Sequence, residues 1–160
     1  MDNLNDPLWK PHQKFMAKAI MLAEQAFEEG EVPVGAIVVH KNTIIGKGYN
    51  QVERLNDPTA HAEMLAISAA CDTLGEKYLG DCTLYVTLEP CPMCAGALVW
   101  SKIGIVVFGA SDAKAGACGS AFNITKSNTL NHKPEVIQGI LEHDSEYLLK
   151  SFFSSKRVNF

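Results

Sequence analysis

The chain has 160 residues, a length that suits one domain with a single substantial core. Hydrophobic residues make up 47% and charged residues 20%, which excludes a disordered chain, and no apolar run is long enough to span a bilayer. The net charge of −4 is uneven: residues 1–90 hold 7 Lys+Arg against 13 Asp+Glu, and residues 91–160 hold 7 against 5. The later half therefore permits a modest basic face, although uneven solvated charge explains the same counts.

The N-terminus reads MDNLNDPLWKP, without the basic start and apolar stretch of a signal peptide, so a cytoplasmic protein is expected. The five cysteines, Cys71, Cys82, Cys91, Cys94 and Cys118, are an odd number. In that setting they read as reduced thiols, some of them metal-bound, and not as a disulfide framework.

In chain order, Lys14 to Glu29 places Phe15, Ala19, Leu22, Ala23, Ala26 and Phe27 at helical spacing, and Gly30 ends the run. Gly35 to Val39 and Thr43 to Ile45 read as a hairpin about a Lys41-Asn42 turn. Asp57-Pro58 is a helix-start signal, predicting a helix from about Pro58 to Ala70 with Asp57 as its cap. Thr83 to Leu88 is a strand, and a short helix begins near Pro92. Ile103 to Phe108 is a further buried strand, and Ala110 to Asn131 is a long functional loop with some helix in it. Val136 to Gln138 is a fifth short strand, and a terminal helix covers about 142–157. Strands alternating with helices imply one α/β domain over 1–160, a three-layer α/β/α sandwich about a mixed five-stranded sheet.

Two segments carry chemistry: His61-Ala62-Glu63, and Pro90-Cys91-Pro92-Met93-Cys94. Both are expected at helix N-termini. Cysteines three apart on a first helical turn direct both sulfurs to one side, where the helix dipole favours thiolates. A lone CxxC also marks redox sites and zinc ribbons, but neither a thioredoxin-like context nor a second CxxC is present. Adding His61 gives three ligands, the count of a catalytic zinc with its fourth position left to water. A closed structural site with Cys71, Cys82 or Cys118 as fourth ligand is the alternative, and none of these has a second cysteine at ligand spacing. Glu63 reads as the acid/base that serves the metal's water; its alternative role is dipole compensation in a solvated first turn.

The H-x-E…P-C-x-x-C pattern resembles the zinc-dependent cytidine/adenosine deaminase superfamily. Flanking stretches resemble one branch of it, the bacterial tRNA-specific adenosine deaminase family. These are Glu31-Val32-Pro33-Val34-Gly35-Ala36, Gly48-Tyr49-Asn50, Asp57-Pro58-Thr59-Ala60, Leu84-Tyr85-Val86-Thr87-Leu88-Glu89, Asp112-Ala113-Lys114-Ala115-Gly116-Ala117 and Phe152-Phe153-Ser154-Ser155-Lys156-Arg157. Ser154 stands where that family usually has another Arg.

The resemblance implies a cytidine-deaminase-like fold and one zinc per chain on His61, Cys91 and Cys94. It also implies hydrolysis of the wobble adenosine of a tRNA anticodon loop to inosine, by a zinc-activated water with Glu63 shuttling protons. Asn50 and the backbone N–H of Ala62 would meet the base, and Val32, Pro33 and Leu88 would wall the pocket. Asp112 and Lys114 would lie near ribose and phosphates, while Phe153, Lys156 and Arg157 would contact a flanking nucleotide. A homodimer is implied as well. A guanine or cytosine deaminase of the same superfamily is the alternative.

Overall fold

Each inner strand carries two interleaved rows of apolar side chains, because successive residues of a strand point to opposite faces. In the computed structural model, which describes residues 7–158, these rows become two separate cores. The acidic start of the chain, on which the expected lack of a leader partly rests, lies outside the described residues, as does the side chain of Arg157.

Strand β1 (Gly35–His40) pairs antiparallel with β2 (Thr43–Tyr49) and with β3 (Cys82–Leu88). Strands β4 (Ile105–Ala110) and β5 (Glu135–Gln138) then add in parallel, giving the order β2-β1-β3-β4-β5. The mixed five-stranded sheet is as expected. Ala36, Val38, Leu84, Val86, Val106 and Phe108 face α3 (Ala62–Leu74) and α4 (Pro92–Trp100). Ile37, Val39, Tyr85 and Val107 face α1 (Lys10–Glu28) and the start of α5 (Glu142–Val158). Helices thus cover both faces in three layers. No helix among the described residues is long and apolar enough to cross a membrane.

The hairpin turn is where the sequence puts it. Lys41 and Asn42 both take positive φ, 49° and 63°, the geometry that matches strand twist in a two-residue hairpin. Other boundaries move. Helix α1 begins four residues before Lys14, with Pro11 in its first turn, where a missing N–H costs nothing. Strand β2 runs on to Tyr49, and β4 starts at Ile105, not Ile103.

The expected cap at Asp57 is a correction. Helix α3 starts at Ala62, because His61 is extended (φ −76°, ψ 152°). Asp57 instead accepts from the backbone N–H of Thr59 at 2.8 Å and from its hydroxyl at 2.7 Å, closing a turn. A short helix not anticipated, α2 (Val52–Leu55), precedes that turn.

Helix α3 lies unusually close to β2 through two glycines. A Cβ on Gly46 would meet the carbonyl oxygen of Ala66 at 2.4 Å, and one on Gly48 would meet that of Ala62 at 2.3 Å. Backbone rests on backbone here, so the start of α3 is located by contact with the sheet. Gly48→Val is expected to destabilise the protein by about 1–3 kcal/mol through overpacking, measured by thermal denaturation. An unchanged melting temperature would contradict this account of how α3 is seated.

Candidate active site

Two helices begin side by side with an unusual feature in common: the N-cap residue of each has an extended backbone and makes no side-chain capping bond. His61 is the N-cap of α3, and Cys91 is the N-cap of α4. Their side chains turn to each other instead. His61 Nδ1 lies 3.6 Å from Cys91 Sγ and 3.5 Å from Cys94 Sγ, and all three atoms fall within 4.8 Å of one another.

These distances test the metal directly. Ligands at the usual zinc–sulfur and zinc–nitrogen lengths, subtending a tetrahedral angle, sit about 3.6 Å apart. The observed N···S separations match that figure. The electrostatics point the same way. The Cys94 side chain hydrogen-bonded to Cys91 holds the Cys91 thiol down to about 4, and His61 adds to the effect against the opposing pull of burial. Cys94 is pushed up, first by that same bond with Cys91 and then by burial. The Cys91 contact also keeps the His61 imidazole above its ordinary range. The apoprotein pair thus holds one negative charge readily and resists a second, which a divalent cation between the sulfurs would reverse.

The alternative of a fourth cysteine ligand fails. Cys71, Cys82 and Cys118 are free thiols and do not join the His61, Cys91, Cys94 group. Burial raises all three, Cys118 to about 12; Cys82 and Cys118 are buried as small apolar groups, and Cys71 is partly buried at the edge of the core.

Glu63 is not the solvated first-turn acid of the alternative reading. It is 4% exposed, and burial is the main cause raising its carboxyl above the ordinary range. The negative Cys91 adds to that rise, while its own backbone N–H, His61 and Cys94 oppose it. The carboxyl therefore stands beside the metal ligands, in surroundings that favour holding a proton.

All of this opens into a cavity of about 790 Å³. His61, Ala62, Glu63 and Cys91 line its floor, and Val32, Asn50, Leu88 and Asp112 line its walls. Phe153 and Lys156 reach it from α5. Pro33 is buried but does not line the cavity, where Val34 does. Lys114 is exposed and also stands off the wall. Arg157 lies in the last turn of α5.

Asn50 is 9% exposed; its amide nitrogen donates to the carbonyl of Val32 at 3.3 Å, and its Oδ1 is buried without a partner. A buried acceptor left open at a cavity wall calls for a donor from a ligand.

Two buried acids beside the cavity went unnoticed in the sequence. Glu31, 1% exposed, accepts from the backbone N–H groups of Glu53 at 2.9 Å and Arg54 at 2.8 Å, holding the start of α2. Glu89, 2% exposed, accepts from the backbone N–H groups of Asp112, Cys118 and Ser120. Both sit in the quoted family stretches, but nothing in a lone Glu next to Val32 or Pro90 signals a loop anchor.

Residues 9–110 match the family model of the cytidine and deoxycytidylate deaminase zinc-binding region. The chain is 54% identical over 145 residues to a tRNA-specific adenosine deaminase of Aquifex aeolicus (strain VF5), covering 91% of this chain and 95% of that one. It superimposes with a TM-score of 0.82 on a structure from work on A-to-I editing by tRNA:A34 deaminases at the wobble position of transfer RNA. That match has 41% identity and covers 85% of this chain and 99% of the other. A guanine deaminase from Bacillus subtilis matches with a TM-score of 0.62 and 36% identity, over 93% and 94% of the two chains.

Cys91→Ala is expected to lose the metal, with zinc by atomic absorption falling to a small fraction of the wild-type content. Glu63→Gln should keep it. Full zinc occupancy in the cysteine variant would remove Cys91 from the ligand set.

Proposed function

Because the chain belongs to the cytidine and deoxycytidylate deaminases, and within them to the tRNA-specific adenosine deaminase family, we propose that it hydrolyses the wobble adenosine of a tRNA anticodon to inosine, releasing ammonia. The observation that carries the chemistry is the buried Glu63 beside the His61, Cys91, Cys94 triangle at the floor of one cavity.

Zinc held by these three residues supplies the Lewis acidity that brings the pKa of a bound water near 7. Glu63 takes the proton released as water adds to C6 of the purine and delivers it to the ring nitrogen N1. It then takes the second proton, from the hydroxyl now on C6, and passes it to the amino group, so that the C6 carbonyl forms as ammonia leaves. Both transfers suit a carboxyl whose burial raises its proton affinity above that of an ordinary carboxylate. Asn50, through its open Oδ1, and the first-turn N–H of Ala62, which has no intrahelical acceptor, are suited to fix the base edge. Val32 and Leu88 close on the base and exclude water.

Flipping a nucleotide out of an anticodon loop costs about a few kcal/mol, which contacts around the target must offset. In this reading Asp112 and Lys114 serve the ribose and phosphates, Phe153 stacks on a flanking base, and Lys156 and Arg157 meet phosphate. Phe152 belongs to the packing instead. It is 6% exposed and lies edge-on against Phe27, anchoring α5. The protein is read as one cytoplasmic catalytic domain that works as a homodimer. The exposed Trp100 at the end of the apolar α4 is consistent with a partner there.

The deciding experiment offers the zinc protein an anticodon stem-loop with adenosine at the wobble position and, separately, free guanine and cytosine. Inosine in the RNA is expected, with Glu63→Ala lowering turnover about 10²–10⁴-fold. Turnover of a free base with no change in the RNA would move the chain to the nucleobase branch. Lys156→Ala with Arg157→Ala is expected to weaken RNA binding and lower the slope of log affinity against log salt by about 2, one per phosphate contact. An unchanged slope would take α5 out of the RNA interface. These substitutions leave Phe152 in place, whereas truncating α5 would also strip a core contact.

A further inference from the structure

Glu89 follows β3 directly and stands two residues before the metal ligand Cys91, with its backbone N–H on the carbonyl of Ala110 at 2.8 Å. Its side chain is buried, and its hydrogen-bond partners among the described residues all lie in the loop that follows β4, none of them a lysine or arginine. Oε1 accepts the backbone N–H of Asp112 at 3.1 Å and the Ser120 hydroxyl; Oε2 accepts the N–H groups of Cys118 at 3.0 Å and Ser120 at 3.1 Å.

The loop is shaped to wrap this carboxylate. A Cβ on Gly116 would lie 2.4 Å from Glu89 Cδ, so only glycine lets the chain pass so closely. Within the loop, Asp112 Oδ1 takes the N–H groups of Lys114 and Ala115, and the Asp112 carbonyl takes that of Gly116. Asp112 and Ala115 line the cavity beside Glu89 itself.

We propose that Glu89 is a positioning residue for the substrate: it ties the Asp112–Ser120 loop into the cleft wall, so that substrate binding depends on it more than the zinc chemistry does. A nest of N–H groups on one carboxylate gives a rigid wall without placing a basic side chain in the cleft. The inference rests on the deaminase reading above.

Glu89→Gln is a discriminating change. The new amide nitrogen cannot face Cys118 and Ser120, whose two N–H groups both donate to Oε2. It must take the Oε1 position, where the Ser120 hydroxyl can turn to accept but the Asp112 N–H loses its acceptor. The substitution therefore frees Asp112, the member of the set that lines the cavity.

The test combines steady-state kinetics on the anticodon stem-loop, zinc content and amide hydrogen exchange. In Glu89→Gln, KM is expected to rise about tenfold while kcat changes far less and zinc remains bound. Glu89→Asp, which keeps both acceptor oxygens, should recover part of the loss. In the zinc-loaded wild type the amides of Asp112, Cys118 and Ser120 should exchange slowly, and in Glu89→Gln that of Asp112 should exchange faster. An unchanged KM, or a fall in kcat and zinc content without a KM effect, would overturn the proposal. So would fast exchange of all three amides in the wild type, a result that stands even if no variant folds. A wild type without turnover on the RNA would refute the substrate reading instead, with the exchange data still deciding the tie.

Discussion

The site depends on holding two helix N-termini together against their own tendencies. Each N-terminus leaves backbone N–H groups without intrahelical acceptors and carries partial positive charge, so two of them repel unless anions intervene. Neither α3 nor α4 uses a side-chain cap, forgoing about 0.5–2 kcal/mol at each end, because the cap positions are given to His61 and Cys91. Thiolates at Cys91 and Cys94 would supply the missing negative charge once a metal held by them and His61 joins the two helix starts. What looks like poor capping is a division of labour between fold and cofactor.

That arrangement needs rigid support from the sheet. The tight seats of α3 on Gly46 and Gly48 fix one helix, and the Glu89–Ala110 backbone bond aligns the approach to the other. Two buried carboxylates at the cavity, Glu31 and Glu89, then hold the start of α2 and the loop after β4. Each is bonded chiefly by backbone N–H groups, so these segments are held by bonds that depend little on their own side chains. The cleft can thus combine a fixed wall with surface residues free to serve recognition.

This division explains what the sequence made legible. Strand alternation at Ile37, Val38 and Val39, the Lys41-Asn42 turn and the two metal segments are local patterns with local physical causes, and the structure has them. Asp57 misled because an Asp-Pro pair serves a turn as well as a helix start, and the choice was settled by His61, whose extended backbone turns its ring to the cysteines. Glu89 and Glu31 were opaque for a different reason. Apart from the Ser120 hydroxyl on Glu89, their partners are main-chain groups 22 to 31 residues away, and backbone donors leave no mark in a sequence. Pro33 and Lys114 lie next to cavity residues in the chain, and adjacency in sequence did not carry them onto the wall.

The same hydrogen bonds bear on how an acidic protein can accept RNA. Lys156 is the one lysine or arginine among the described residues lining the cavity, against Glu31, Glu53, Glu63, Glu89 and Asp112. Taken as free charges, these would repel phosphate. Glu31 and Glu89, however, are each engaged by backbone N–H groups, and Asp112 Oδ1 holds two more. Burial raises Glu63 toward its neutral form. Donor dipoles aimed at a carboxylate cancel much of its field beyond a few ångströms, so Glu53 is left as the acid at the cavity whose carboxylate has no such partners among the described residues. The net charge of −4 therefore overstates the repulsion a phosphate meets at the mouth. Attraction need only be local, and Lys156 of α5 stands at the cavity itself.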